Sequence, residues 1–176
     1  AAAGAEVTHL SRRCDGLATA EIRDGVQYQR INGFDTPKSL LWLKFLDGIY
    51  SLRLRWRLGR ADIVVSNTFW MPILLRDDRK WGQVVVDFER MPKGQVRFYR
   101  HVACIRVNSQ AVKNAVLQEC PEVAPLVRLI PNPLPFTPPD KIEFENKEKV
   151  LFYAGRIHPE KGLHLLADAW RQLSPA

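Results

Sequence analysis

The sequence has no unbroken run of 18 apolar residues, which excludes a bilayer-spanning helix on hydropathy grounds. Its first residues show no basic segment followed by a long apolar stretch, so no signal peptide is expected. Cysteine is scarce: Cys14, Cys104 and Cys120 form an odd set without metal-ligand spacing. Such a set argues against a disulfide framework and reads as free thiols in a reducing, cytoplasmic compartment. The dinucleotide fingerprint Gly-x-Gly-x-x-Gly is missing, which disfavours nicotinamide chemistry. There is no low-complexity tract and no short internal repeat. Acidic residues are outnumbered, 19 against 26 basic ones, and the net charge of +7 favours acidic partners. Anionic lipid and sugar nucleotides fit that bias. Nucleic acid is not expected, because no aromatic-basic platform of a known module is visible.

What is present is an alternation of strand and helix patterns. Apolar or alternating stretches at residues 6–10, 26–31, 61–67, 83–87, 104–109, 127–130 and 150–153 read as strands. The continuous apolar run at 61–67 looks like a central parallel strand. Helical patterns are expected from Pro37 to about Leu58, briefly at 68–75 with Pro72 near the start, and at 96–103. Ser109 should cap a further helix over 110–118. Residues 11–24 are polar and irregular, and Asp24-Gly25 marks a turn. Alternation of this kind predicts a doubly wound parallel α/β sheet.

The helix after Pro37 carries Leu40, Leu41, Phe45, Ile49, Leu52 and Trp56 on a stripe interrupted by Lys44 and Gly48. Arg53, Arg55, Arg57 and Arg60 crowd its second half. Two interpretations stand side by side. The helix is packed and its basic face solvated, or it rests on an anionic membrane surface, with Trp42, Trp56 and the leucines at the interface.

The most informative stretch is Gly155-Arg156-Ile157-His158-Pro159-Glu160-Lys161-Gly162. The expected strand at 150–153 precedes it. An amphipathic helix with Leu163, Leu165, Leu166, Ala169, Trp170 and Leu173 follows. Gly155 permits a tight turn close to a ligand. The free N–H groups of a helix start favour an anion. Arg156 adds a planar fork for phosphate oxygens and Lys161 a compact point charge. A diphosphate fits this chemistry.

That octet resembles the Gly-Arg-x-x-x-x-Lys-Gly segment of family 4 retaining glycosyltransferases. The strand-Ser-helix unit around Ser109 and the Pro131-Asn132-Pro133 segment resemble further parts of the same family. The resemblance implies a GT-B fold: a Rossmann-like acceptor-side domain at 1–136 lacking its first strand-helix, a linker at 137–148, and the start of the nucleotide-sugar domain at 149–176. It implies transfer of a sugar from a nucleoside diphosphate sugar to a glycan, lipid-linked or small-molecule acceptor, with retained configuration and no bound metal or other cofactor. Arg156 and Lys161 would be catalytic, stabilising the leaving diphosphate, and Gly155, Arg156, Lys161 and Gly162 would bind the donor. Relatives carry a His in the segment matching 88–95, and this chain has none there. Arg90 and Lys93 are the expected acceptor contacts instead, and Ser109, together with Asn108, is expected to point at the interdomain cleft as a further acceptor contact. The family's Glu-x7-Glu segment is absent, so the chain is expected to be part of a longer one. The alternative is a non-catalytic α/β module that binds an anion or nucleotide and partners a full-length transferase.

Overall fold

The computed structural model describes residues 4–76, 78–134, 137, 144–148 and 150–173. The chain divides into two compact units, Ala1–Pro133 and Leu134–Ala176.

The first unit is α/β and contains two sheets. The smaller sheet has the order β1-β3-β2, built from β1 (Val7–Arg12), β2 (Ala20–Arg23) and β3 (Val26–Ile31). β1 and β3 run parallel, and β2 pairs antiparallel with β3 through Arg23↔Val26. The β2–β3 connection is the two-residue turn Asp24-Gly25, with φ of 53° and 74°. Positive φ at both residues gives the turn whose twist matches a hairpin. The stretch 11–24, expected to be irregular, therefore contains the end of β1 and all of β2. Its Ala-Glu-Ile-Arg sequence alternates over only four residues and leaves Ile22 exposed, too short a pattern by which to recognise a strand.

The larger sheet is wholly parallel, in the order β4-β5-β6-β7: β4 (Ile63–Ser66), β5 (Gln83–Phe88), β6 (Cys104–Val107) and β7 (Val127–Leu129). The arrangement is Rossmann-like in general. β4, expected to be central, lies at an edge of this four-stranded sheet. Only alternate residues are covered: Val64 and Ser66 are buried, Ile63 and Val65 exposed.

Helix α1 (Leu40–Arg57), the single turns α2 (Met71–Leu74) and α3 (Asp78–Trp81), and α4 (Gln110–Glu119) complete the unit. The core joins Val64, Val84 and Val86 to Ile105, Val107, Val112, Val116, Tyr50, Leu54 and Tyr99. Fully burying a Val or Ile side chain contributes about 1.5–3 kcal/mol, so this cluster dominates the stability of the unit. Ser109 caps α4 as expected, its Oγ accepting from Val112 N at 3.3 Å. The helix expected over 96–103 is a 3-10 turn of four residues, Val96–Tyr99. Gly82 (φ 80°) lets α3 return into β5 beside β4: a Cβ there would lie 2.0 Å from the Ala61 carbonyl oxygen.

The second unit holds 3-10 turns at Phe144–Asn146 and Pro159–Lys161 and helix α5 (Leu163–Leu173), with no buried residue in α5. Residues 150–153 form no strand, which corrects the expected strand-helix unit. A β-strand needs a neighbour to receive its N–H and C=O groups. No other strand is present among the described residues of this unit. The expected linker, 137–148, falls mostly outside the described residues.

Candidate functional site

Parallel strands place their carboxyl ends on one side, and the loops leaving them form the crevice where open α/β sheets hold ligands. A cleft of about 430 Å³ lies there, between the segments that follow β4 and β5. Asn67, Thr68 and Phe69 form one wall, Glu89 to Met91, Lys93 and Gln95 the other, with Val86, Asp87, Phe88 and Tyr99 beneath.

Each wall is held by polar contacts. After β4, the Thr68 backbone N–H donates to Ser66 Oγ at 3.3 Å, and Thr68 Oγ1 accepts from Met71 N at 3.3 Å. The hydroxyl thus caps the short α2 turn and fixes the bend. After β5, the Glu119 carboxylate accepts from Gly94 N at 2.8 Å and from Val96 N at 2.6 Å. A carboxylate at the last residue of α4 opposes that helix's own dipole. Here it caps the start of the 3-10 turn Val96–Tyr99 and anchors the loop carrying Lys93. Beneath, the Tyr99 hydroxyl donates to the Phe69 carbonyl at 3.0 Å. Burial first, then Asp47 and Glu119, push the Tyr99 phenol well above the usual range, so it stays a neutral donor.

Asp87 is the charged group nearest the sheet, and it is already engaged. Arg106, its register partner on β6, donates to both carboxylate oxygens at 2.8 and 3.0 Å. The same guanidinium donates to the Ile130 carbonyl at 2.8 Å and to Asn132 Oδ1 at 2.6 Å. Arg106 therefore ties together the ends of β5, β6 and β7 and holds the Pro131–Pro133 segment. Sequence reasoning passed over both residues. The available signal was one charge in each of two otherwise apolar strands, Val-Val-Val-Asp and Ile-Arg-Val.

With Asp87 paired, the remaining charges on the cleft are Glu89 against Arg90 and Lys93. The structure thus brings Arg90 and Lys93, both exposed, to one cleft. Ser109 is not among the residues that line it, and its hydroxyl is occupied as the α4 cap. Its neighbour Asn108 reaches the loop instead, donating from Nδ2 to the Glu89 carbonyl at 3.2 Å. Asn108 Oδ1 is buried with no hydrogen-bond partner among the described residues.

The second candidate segment lies in the other unit. Tyr153 donates from its hydroxyl to the Arg156 carbonyl at 2.8 Å, closing the turn around Gly155. His158 Nδ1 accepts from Glu160 N at 3.4 Å and starts the 3-10 turn Pro159–Lys161. Gly162, with φ of 65°, ends that turn, and its carbonyl accepts from Leu166 N at 3.1 Å as α5 begins. The left-handed conformation favours glycine, which has no Cβ to clash there. Arg156 and Lys161 are exposed, and their side chains make no hydrogen bond or ion pair with another described residue. His158 is therefore a capping residue of this loop.

No three His, Cys, Asp or Glu side chains gather as metal ligands among the described residues. No described helix is long and apolar enough to cross a membrane. No family model, curated protein or solved structure gives a significant match to this chain.

Proposed function

We propose that this chain is the acceptor side and the start of the donor side of a retaining glycosyltransferase of GT-B type. One observation carries the proposal. The Gly155–Gly162 octet runs into the first turn of α5, with Arg156 and Lys161 exposed and uncommitted. Their charges are available to a diphosphate, beside the unpaired N–H groups of the helix start. As the sugar–phosphate bond breaks, negative charge grows on the leaving nucleoside diphosphate. Preplaced cations lower the barrier by meeting that charge without reorganisation.

The cleft at the β4–β5 edge supports the acceptor half of the proposal. Val86, Phe88 and Tyr99 in its floor are buried, its walls are capped, and it offers amide, hydroxyl and charged groups of the kind that hydrogen-bond a hydroxylated acceptor. Arg90 and Lys93 would orient that acceptor, and Asn67 and Thr68 would face it from the other wall. Arg106 serves as a positioning residue through Asp87.

One feature favours a second interpretation. The Gly155–Gly162 loop has no strand before it among the described residues. An anion-binding module without turnover needs the loop and α5 but not a completed sheet. The discriminating experiment incubates the protein with UDP-, GDP- and ADP-sugars and simple glycoside acceptors, and follows the anomeric protons by NMR. Transfer with retained configuration is the expected result. Binding of a nucleotide sugar without any transfer would support the module instead.

A further inference from the structure

Helix α1 has two apolar faces, and only one of them meets the core. Tyr50, Ser51 and Leu54 are buried, and Tyr50 and Leu54 join the core cluster. At 3.6 residues per turn, Leu41, Phe45, Leu52 and Trp56 share the opposite sector, with Trp42 at its margin. That sector faces solvent: Leu41 is 82% and Trp56 84% exposed, Phe45 55% and Trp42 53%. The stripe expected from sequence is thus turned away from the core for most of its length. The Trp42 and Phe45 rings stack on this outer face with centroids 5.2 Å apart.

Charge decides what covers it. Between Lys38 and Arg60 six basic residues stand against one acidic residue, Asp47. Asp47 lies on the core side, where burial raises its pKa and Arg12 partly offsets the rise. Lys38, Arg53, Arg57 and Arg60 are exposed and make no ion pair among the described residues. Two copies pairing through this face would press like charges together. Nucleic acid would satisfy the arginines and leave the leucines and tryptophans wet. A bilayer with anionic headgroups satisfies both, because apolar side chains enter the acyl boundary while arginines stay at the phosphates.

We infer that α1 is a peripheral membrane-docking helix, lying flat on an anionic lipid surface with the Leu41–Trp56 stripe inserted. The inference is independent of sugar transfer and stands or falls on α1 alone. Phosphate headgroups attract each nearby Lys or Arg, and the attraction fades within a Debye length as salt rises.

The test is vesicle flotation of the full chain. Phosphatidylcholine vesicles containing phosphatidylglycerol should bind it at least about tenfold more than pure phosphatidylcholine at low salt, and 0.5 M salt (roughly a 4 Å Debye length) should remove most of that gain. Leu41→Glu with Trp56→Glu should abolish binding while circular dichroism stays unchanged, since both residues are exposed. Arg53→Glu with Arg57→Glu should abolish the preference for anionic lipid. Equal partition onto both vesicle types, or flotation unaffected by Leu41→Glu with Trp56→Glu, would overturn the inference. So would a dimer in sedimentation that the same double substitution dissolves, since the stripe would then belong to a second copy.

Discussion

Replacing Glu119 by Ala removes the acceptor for two backbone N–H groups in the loop that walls the cleft. Val96 is fully buried at 0% exposure and its N–H donates at 2.6 Å, whereas the Gly94 bond lies in solvent. A charge-assisted bond to a partly buried donor is worth about 1.5–3 kcal/mol, and the exposed one about 0.5 kcal/mol once water replaces it. Removing an acidic group from the last turn of α4 returns about 0.3 kcal/mol. The net loss is about 2 kcal/mol. Glu119→Gln keeps one acceptor oxygen without its charge and should cost about half as much. Urea denaturation at unchanged m-value measures the loss, and amide exchange at Gly94 and Val96 locates it. A loss below about 0.5 kcal/mol with unaltered exchange at Val96 would refute the claim that Glu119 anchors the cleft wall.

Gly82→Ala should destabilise by at least about 3 kcal/mol, because a Cβ 2.0 Å from the Ala61 carbonyl at positive φ forces β4 and β5 apart; a thermal melt within 2 °C of the parent, on the order of a 0.5–1 kcal/mol loss, would contradict it. Burial raises the pKa of both Tyr50 and Tyr99, so the folded state keeps two protons that the unfolded chain begins to lose near pH 10. Their contribution is whole below that pH and falls away as pH rises above it. Tyr99→Phe should flatten the alkaline loss of stability, and an unchanged slope above pH 10 would show that the phenol is not the cause. Residues 150–173 should exchange amide hydrogens faster than Ile63–Ser66 and Gln83–Phe88, since α5 buries no residue; equal protection would show the tail stably docked.

Much of the first unit was legible because local signals agree with tertiary demands. β3, β5 and β6 are apolar or alternating runs bounded by turn residues, and Ser109 sits where an N-cap is required. β2 was invisible, since a hairpin strand lying on another strand needs little apolar content, and only Asp24-Gly25 hinted at it. The run at 150–153 failed for the opposite reason: it has strand composition but no neighbouring strand among the described residues. In α1, apolar residues on both sides of the helix left the choice of buried face to packing, and Tyr50, Ser51 and Leu54 took it. Arg90 and Lys93 line the cleft because loop residues after a parallel strand lie at its carboxyl edge. Glu119 and Arg106 were missed because each acts across more than 18 residues of sequence, on partners that only the folded sheet brings near.

The central claim is that Arg156 and Lys161 hold a leaving diphosphate. Its most direct test is the rate of sugar transfer by Arg156→Ala and Lys161→Ala at saturating acceptor, in the full-length protein, with circular dichroism confirming the fold. Losing a charge-assisted contact that tightens in the transition state costs about 2–4 kcal/mol, or roughly 30- to 1000-fold in rate. Lys161→Arg should recover only part of the loss, since a planar fork replaces a point charge. His158→Ala should slow transfer far less, because His158 caps the turn and its Nδ1 is already engaged by Glu160 N. Folded Arg156→Ala and Lys161→Ala proteins with near-parental rates would contradict the assignment and the transferase proposal with it.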